Sequence, residues 1–325
     1  MKTMTFTDAM QSGLHEEMQR DARIIVLGED VKLSPYGYTR GLDEAFPGRV
    51  RNTPIAEQTT IGAALGAAMC GLRPVVDLMM GNFFYTGWDQ LANQVAKLRY
   101  MTGGQFSVPA VFVSTYGAGG NVAAQHSDVP YPQMMNLAGV KIVVPSTPYD
   151  AKGLFKAAIR EDNPVVFLAP VSLVDDEEEI PEEEYLFPLG KAKIGRQGSD
   201  ITLAAIGAML PRALQAADQV EARGWSVEVI DLCTLNPLDA PTILDSVSKT
   251  GRLVVVDEAR QLCSVASEVA ALTVEQAFRH LKAPVLRVTA ANVPVPFSPP
   301  LEDYVIPGVD RIVDALQRVM LNGSK

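Results

Sequence analysis

The apolar positions of this chain follow two alternating periods, one typical of helices and one typical of buried strands. Met10, Leu14 and Met18 recur at four-residue steps, which predicts an amphipathic helix with Thr7 as its N-cap. The apolar run at 24–27 then predicts a buried strand. The alternation continues with expected helices at 58–70, 88–100 and 148–160 and expected strands at 75–79, 110–114, 142–144 and 165–168. This order predicts a parallel sheet covered on both faces by helices.

A block of acidic residues interrupts the pattern. Eight of the ten residues from 175 to 184 are Asp or Glu. Like charges at this density repel one another in a packed element, so we interpret 175–190 as an acidic linker. Beyond it the expected strands are 201–206, 227–232, 253–256 and 285–288, and the expected helices are 212–222, 241–247, 264–280 and 310–320. The sequence therefore predicts an α/β protein of two domains with mainly parallel sheets, at 1–174 and 191–325.

Composition narrows the classes of partner. The 325 residues are 47% hydrophobic, which suffices for two cores. With 28 Lys and Arg against 38 Asp and Glu, the net charge of -10 argues against nucleic acid or an anionic membrane as the main partner. No apolar run reaches the roughly 20 residues of a membrane span, and no signal peptide is recognisable, so we expect a cytoplasmic protein. We expect Cys70, Cys233 and Cys263 to be buried free thiols.

Several candidate functional residues follow strands or begin helices. Ligands of parallel sheets bind beyond the carboxyl ends of the strands, and Glu29 directly follows the first strand. A solvated acidic turn is the alternative interpretation of Glu29. Glu57 begins a helix of small and apolar residues. Its alternative role is that of a first-turn charge, which stabilises a helix by about 0.3–1 kcal/mol.

Two further sequence features suggest a catalytic or a ligand-binding role. His126 lies in a glycine-rich segment after a strand, and the imidazole pKa near 6.5 suits proton transfer at neutral pH. A histidine hydrogen-bonded to the loop backbone is the alternative. Phe83, Phe84 and Tyr85 follow another strand, where aromatic faces can hold a flat heterocycle. Core filling is the alternative for these aromatic residues.

Six short segments of the chain, in collinear order, carry a family resemblance. They are Gly28-Glu29-Asp30, Asn52-Thr53-Pro54-Ile55-Ala56-Glu57, Ala96-Lys97-Leu98-Arg99-Tyr100, Gln125-His126-Ser127, Val144-Pro145-Ser146-Thr147-Pro148-Tyr149-Asp150-Ala151-Lys152-Gly153 and Val229-Ile230-Asp231-Leu232. The chain resembles the beta subunits of pyruvate, branched-chain 2-oxo acid and acetoin dehydrogenases. The resemblance implies a transketolase-like pyrimidine-binding domain followed by a transketolase C-terminal-like domain.

The resemblance also implies an activity. It implies thiamine-diphosphate-dependent decarboxylation of a 2-oxo acid, of the pyruvate dehydrogenase type, followed by reductive acylation of a lipoyl carrier. Cleavage of acetoin is the close alternative, and a non-catalytic scaffold that docks the carrier protein is an alternative from another class. Met79 and Met80 replace more polar residues of many pyruvate-type relatives. They predict an apolar pocket that accepts a small uncharged substrate better than 2-oxoglutarate.

By the same resemblance, site residues can be assigned. Glu57 is expected to hydrogen-bond the aminopyrimidine ring of thiamine diphosphate and to relay the proton that activates the cofactor. His126 is expected to contact the substrate and to assist acyl transfer to the lipoyl group. Glu29, Ile55, Met79 and Phe83 are expected near the cofactor.

Metal ions and partners are also implied by the resemblance. Five backbone carbonyls are candidate potassium ligands, namely those of Ala110, Ala158, Ile159, Glu161 and Asn163. The chain has no Gly-Asp dipeptide, the start of the motif that holds magnesium and diphosphate in the superfamily. The resemblance therefore assigns magnesium to an alpha subunit in a two-alpha two-beta heterotetramer. It also implies a lipoyl-bearing dihydrolipoamide acyltransferase as a partner.

Overall fold

The computed structural model describes residues 1–322, which form two units of the α/β class. The first unit comprises Met1–Gly117 and Gln133–Leu189, and the second comprises Ala118–Pro132 and the chain from Gly190 onward. Residues 118–132 thus belong to the second unit, although they lie within the sequence of the first. The sequence pattern did not predict that this segment belongs to the second unit. Within the described residues, no helix combines the length and apolar character needed to cross a bilayer.

The first unit contains the elements that the alternation predicted and several short ones that it did not. The strands are β1 (Lys2–Thr5), β2 (Ile24–Gly28), β3 (Val50–Asn52), β4 (Arg73–Met80), β5 (Val111–Tyr116), β6 (Lys141–Val143), β7 (Val165–Pro170) and β8 (Glu177–Ile180). The α-helices are α1 (Phe6–Arg20), α2 (Leu42–Ala45), α3 (Glu57–Met69), α4 (Leu98–Met101) and α6 (Pro148–Arg160), with α5 (Tyr131–Met134) at the boundary between the units. Gly81–Tyr85 and Val171–Leu173 form 3-10 turns, and Gln90–Val95 forms a π-helical segment. The helix expected over 88–100 is therefore present but divided, with a π-helical segment and a turn before α4.

The central sheet of the first unit is parallel, as predicted. Its strands follow the order β6-β7-β5-β4-β2-β3, with parallel pairing throughout. The strands β5 and β7 are buried along their whole length, as expected for strands covered on both faces, and β7 is apolar throughout. Because all these strands run in the same direction, the residues that follow β2 and β4 meet at one edge of the sheet.

Helices α1 and α6 enclose a cluster of charged side chains. Helix α1 is capped by Thr5, whose hydroxyl accepts from the Asp8 amide at 3.0 Å, so the predicted cap at Thr7 is wrong by two residues. Glu16 of α1 bonds the ammonium groups of Lys152 and Lys156, each at 2.6 Å. Although burial alone would raise it, these two ammonium groups lower the pKa of Glu16.

The acidic segment is partly structured. Strand β8, which lies inside it, pairs with β1 in antiparallel register from Lys2 opposite Ile180 to Thr5 opposite Glu177. The prediction that this charge density excludes a packed element is therefore wrong for these residues. Only Ile180 of β8 is buried, while Glu177 and Glu179 are exposed, so the charges are solvated on an edge ribbon.

The second unit has its own sheet. The strands in this part of the chain are β9 (Lys193–Arg196), β10 (Ile201–Ala205), β11 (Val227–Asp231), β12 (Thr234–Asn236), β13 (Leu253–Arg260) and β14 (Leu286–Ala290), and all except β12 belong to this sheet. The helices of this unit are α7 (Met209–Glu221), α8 (Ala240–Thr250), α9 (Val265–Ala277), α10 (Pro299–Val305) and α11 (Val309–Asn322), and Phe278–His280 is a 3-10 turn. The sheet order is β14-β13-β10-β11-β9, and only the edge strand β9 is antiparallel to its neighbour.

The cysteines differ from expectation. All three are free thiols, as predicted, but only Cys233 is buried, and Cys70 and Cys263 are exposed. Cys70 follows the last residue of α3, and Cys263 adopts a left-handed φ of 54° before α9. Their apolar sequence neighbours therefore do not indicate burial, since Cys70 is the C-cap of α3 and Cys263 lies two residues before α9.

Candidate active site

The predicted cofactor residues of the first unit line a single cavity. Glu29, Ile55, Glu57, Met79 and Phe83 all contribute to its wall. The remaining lining residues are Thr53, Pro54, Ala56, Thr60, Asp77 and Leu78. The cavity lies at the carboxyl ends of β2 and β4 and at the N-terminus of α3, where parallel-sheet proteins bind ligands. Ile55 is 76% exposed, so an apolar side chain is presented at the rim.

Glu29 is brought to the cavity by a close approach of two strands. Gly28 ends β2, and a Cβ at this position would lie 2.7 Å from the Asp77 carbonyl oxygen and 2.8 Å from a Val31 methyl group. Only glycine fits there, and this packing sets Glu29 beside β4. Burial and the nearby charges of Asp30 and Glu57 raise the pKa of Glu29. The cavity wall is therefore acidic.

Glu57 is the first residue of α3. The cap residue Ala56 has no side chain that bonds a backbone amide, so the helix begins without a capping hydroxyl or carboxylate. The Glu57 carboxylate accepts a hydrogen bond from the Thr86 hydroxyl at 2.8 Å. The Cβ of a residue replacing Gly87 would lie 2.4 Å from the Ile61 side chain, so the 86–87 turn packs directly on this end of α3. Thr86 is thus placed to orient the carboxylate.

Met79 adopts a strained conformation that two neighbours hold in place. Its φ is +56°, in the left-handed region that residues with a Cβ rarely occupy. The Met79 amide donates to the Asp77 carboxylate at 2.7 Å, and its carbonyl accepts from the Thr115 hydroxyl at 2.9 Å. The pairing of β4 with β5 is irregular between Asp77 and Met80. This bulge redirects Met79 toward the cavity.

Asp77 is a buried carboxyl group behind the cavity. Burial raises its pKa to about 6, the Met79 amide opposes the rise, and the charge of Glu29 adds to it. Burial, together with Asp77 and Glu29, also raises the pKa of Tyr36 to about 12. Phe83 borders the cavity, whereas Phe84 is fully buried and fills the core.

His126 is carried by the second unit, in the segment 118–132, which we call the histidine loop. The side chain is half-buried, and the His126 amide donates to the Ala123 carbonyl at 3.2 Å. The C-terminal part of the loop is attached to the end of β13. There the Tyr131 hydroxyl donates to the Asp257 carboxylate at 2.6 Å, and the Arg260 guanidinium donates to Asp128 at 3.0 Å.

Of the five candidate potassium carbonyls, two belong to the last turn of α6, two follow this helix and one directly precedes β5, and four of the five already accept hydrogen bonds. The Arg73 guanidinium donates to the Ile159 carbonyl at 2.9 Å and to the Glu161 carbonyl at 2.7 Å. The carbonyls of Ala110 and Ala158 accept from the amides of Val165 and Glu161, at 2.9 Å and 3.2 Å.

Backbone carbonyl oxygens are the donor type expected of a potassium site, and the Arg73 guanidinium already bonds two of them. A carbonyl oxygen has two lone pairs, so each can accept a second partner, and rings of carbonyls are ligands that potassium uses. The charge of Arg73 is balanced by its ion pair with Asp162 at 2.9 Å.

Comparison with known proteins identifies the family. Residues 2–176 match the transketolase pyrimidine binding domain, and residues 190–312 match the transketolase C-terminal domain. The beta subunit of acetoin:2,6-dichlorophenolindophenol oxidoreductase of Cupriavidus necator is 42% identical over 97% of each chain. The pyruvate dehydrogenase E1 component subunit beta of Rhizobium meliloti is 43% identical over 98% of this chain and 70% of that one. The chain belongs to the dehydrogenase E1 beta subunits.

Other similarities agree with this E1 beta assignment. The acetoin oxidoreductase beta subunit of Bacillus subtilis is 43% identical over 96% of each chain. A solved structure titled split gene transketolase, inactive beta4 tetramer, superimposes with a TM-score of 0.82 over 98% of this chain and 99% of that one. At 24% identity, this neighbour establishes the fold alone. The predicted transketolase-like architecture and the predicted family are therefore confirmed.

The E1 beta structure also shows site residues that the sequence did not single out. Asp77, Thr86 and Thr115 each bond a predicted site residue, yet none lies in a recognisable motif. In the sequence, Asp77 is the one carboxylate among the apolar residues of its strand. A buried charge destabilises a fold, so this position could have been singled out as a candidate. Thr86 and Thr115 gave no such signal, since threonine is common in strands and turns.

Proposed function

We propose that this chain is the beta subunit of a thiamine-diphosphate-dependent dehydrogenase that decarboxylates a 2-oxo acid, with pyruvate as the type substrate, and acylates a lipoyl carrier. One observation carries the proposal. The five residues assigned to the cofactor from family resemblance, which are separated by up to 54 positions, line one cavity at the carboxyl edge of the sheet. A scaffold protein would not need this convergence.

The residues divide the work by their chemistry. Thiamine diphosphate, when bound, supplies the nucleophilic carbon and the electron sink for decarboxylation. Ile55, Met79 and Phe83 would pack against the faces of an aminopyrimidine ring, and Glu57 would exchange a proton with its ring nitrogen. The Thr86 hydroxyl would hold the Glu57 carboxylate in the orientation for that transfer. Glu29 would contribute a second acidic group at the wall.

The absence of a Gly-Asp motif defines the proposed partners. This chain would bind the pyrimidine, while an alpha subunit would bind magnesium and the diphosphate, within a two-alpha two-beta heterotetramer. A lipoyl-bearing dihydrolipoamide acyltransferase would accept the acyl group. Potassium would bind at the five candidate carbonyls. In that case KCl should raise the melting temperature relative to choline chloride at equal ionic strength, and equal values would remove potassium from the proposal.

Replacing the proton-transfer group tests the proposal. In the assembled enzyme, Glu57→Gln should lower turnover by about a hundredfold or more, the scale of a lost general acid–base group. Glu44→Gln is the matched control, because Glu44 is an exposed carboxylate in the first turn of α2. Normal turnover of Glu57→Gln would reduce Glu57 to a helix-end charge. Titration of the assembled complex with thiamine diphosphate separates the enzyme from the non-catalytic scaffold, which would bind none of the cofactor.

The histidine has a separate test. His126→Ala should impair acylation of the lipoyl group more than decarboxylation measured with an artificial electron acceptor. His280→Ala is the control, since His280 is exposed on a 3-10 turn. Equal losses in both assays would contradict the assignment of His126 to acyl transfer.

Acetoin is the second candidate substrate. It is favoured by the 42% and 43% identity to two acetoin oxidoreductase beta subunits over nearly the whole of both chains. The apolar side chains of Met79 and Phe83 suit acetoin, pyruvate or a short branched 2-oxo acid, and they disfavour 2-oxoglutarate, whose second carboxylate would be desolvated. Specificity constants for these four compounds decide among them. A preference for 2-oxoglutarate would overturn the pocket assignment.

A further inference from the structure

Two buried carboxylates of the second unit bind consecutive backbone amides at the start of the histidine loop. The Ala118 amide donates to Glu258 at 2.6 Å, and the Gly119 amide donates to Glu302. Glu258 lies near the end of β13 and Glu302 lies in α10, and their side chains are 4% and 3% exposed. Two elements that are distant in sequence thus converge on two consecutive peptide units.

Burial of these two carboxylates destabilises the folded state. Within residues 1–322, the second oxygen of each, Oε2 of Glu258 and Oε2 of Glu302, is buried without a hydrogen-bond partner. A buried polar atom that lacks a partner destabilises a protein, and an apolar side chain of similar size would avoid that cost. Natural sequences retain such costs chiefly where function requires them. The pair therefore calls for a functional explanation.

The backbone between these amides and His126 is unusual. Gly117 and Gly119 have φ values of +88° and +112°, and Asn121 and Ala123 lie in the left-handed region at +52° and +64°. A left-handed alanine is unfavourable, and such residues persist only where the surroundings impose them. The loop therefore needs strong anchors on both sides of His126 to keep this path.

Anchors are present on both sides. The contacts of Asp128 with Arg260 and of Tyr131 with Asp257 fix the loop after His126, and the two glutamates fix it before. We propose that Glu258 and Glu302 are positioning residues for His126, which hold the histidine loop through the backbone amides of Ala118 and Gly119. The link to acyl transfer rests on the proposed function, whereas the anchoring does not.

The anchoring should depend on pH. Burial raises the pKa of Glu258 to about 7. The Ala118 amide and the Arg212 guanidinium oppose this rise, and the carboxylates of Asp257 and Glu302 reinforce it. A protonated carboxyl group is a weaker acceptor than a carboxylate. The loop should therefore be held more tightly at pH 8 than at pH 6.

Amide hydrogen exchange of the purified full-length chain tests the anchoring without any activity assay. Glu302→Ala should speed exchange in peptides that span 117–127 by about tenfold or more, the effect of losing a hydrogen bond to a charged group. Glu302→Gln should restore part of the protection, because its amide oxygen still accepts. Asp303→Asn on the same helix is the control, since Asp303 is 79% exposed. In Glu258→Gln, the protection of the 117–127 amides, after correction for the pH dependence of the intrinsic exchange rate, should be the same at pH 6 and pH 8.

Activity then tests the positioning of His126. In the assembled enzyme, Glu302→Ala should lower kcat for lipoyl acylation with little change in KM for the 2-oxo acid, and Glu302→Gln should recover part of it. Exchange rates in Glu302→Ala and Glu302→Gln equal to those of the parent chain would overturn the anchoring. If Glu302→Ala speeds exchange but leaves lipoyl acylation unchanged, the positioning role of Glu302 is overturned. The proposed function still holds in that case if His126→Ala impairs acylation. If His126→Ala shows no acylation defect, the proposed role of His126 fails, and faster exchange still supports the anchoring.

Discussion

The buried carboxyl group behind the candidate site offers a quantitative test of the electrostatics. In Asp77→Asn the Oδ1 atom still accepts from the Met79 amide, so the conformation of Met79 should persist, but the buried charge disappears. Burial raises the pKa of Asp77 from 3.8 to about 6. At 1.36 kcal/mol per pKa unit, a rise of about two units means that ionised Asp77 destabilises the folded chain by about 3 kcal/mol.

The sign of the pH dependence follows from the raised pKa. Between pH 3.8 and about 6 the folded chain binds a proton that the unfolded chain has released, so the stabilising contribution of protonated Asp77 is lost as pH rises through this window. Asparagine does not titrate. Asp77→Asn should therefore be more stable than the parent at pH 7 by up to about 3 kcal/mol, and the difference should vanish near pH 4.

Calorimetry over pH 4–7.5 measures this difference. For a unit of this size, about 1 kcal/mol shifts the melting temperature by about 2–4 °C, so a rise of about 6–12 °C is expected for the first unit at pH 7. Asp30→Asn is the control, because Asp30 is exposed and its left-handed φ of 50° suits asparagine equally well. A difference between Asp77→Asn and the parent that stays constant from pH 4 to pH 7 would refute the reasoning.

Three further outcomes are expected. Thr147→Ala should destabilise the chain by about 1 kcal/mol, because the hydroxyl that caps α6 by accepting from the Asp150 amide at 3.2 Å is lost, and Thr147→Ser should restore stability in urea unfolding. The isolated chain should not bind thiamine diphosphate tightly in calorimetric titration, since the diphosphate and magnesium ligands are assigned to the alpha subunit; micromolar affinity would contradict this. Association with the acyltransferase should weaken as salt rises, since a chain of net charge -10 that meets a basic surface is screened over about 10 Å at 0.1 M; affinity independent of salt would indicate an apolar interface.

Periodicity predicted the long elements well because their local signals agree with their packing. The cap at Thr147 with Pro148 at the first helical position appears as expected, and so does the parallel pairing of the strands that alternate with helices in the first unit. Helix α1 begins two residues before the predicted position. The local sequence did not distinguish Thr5 from Thr7 as the capping residue. Thr7 instead donates its hydroxyl to the Val174 carbonyl, a partner 167 positions away that no local pattern reveals.

The candidate site was predictable where residues belong to motifs and unpredictable where they act through tertiary contacts. Glu57 and His126 stand in recognisable segments, and the residues assigned to the cofactor by resemblance line one cavity. Thr86 became evident only through its distance to Glu57, and Glu302 only through its bond to a loop 183 positions away. The assignment of the histidine loop to the second unit likewise depends on packing, because nothing in its glycine-rich sequence specifies a partner.

The charged cluster between α1 and α6 gives the chain a built-in reporter for chemical labelling. Lys152 and Lys156 are 2% and 1% exposed, and both ammonium groups are bound to Glu16. An amine-reactive reagent should therefore modify exposed lysines such as Lys191 at once and leave these two untouched while α1 stays docked. Because a deprotonated, solvent-accessible amine is the reacting form, acylation of Lys152 and Lys156 should require undocking of α1, and its rate should follow the population of the undocked form when redocking is faster than acylation. Mass spectrometry of these two sites can thus follow the opening of one helix in a chain of 325 residues.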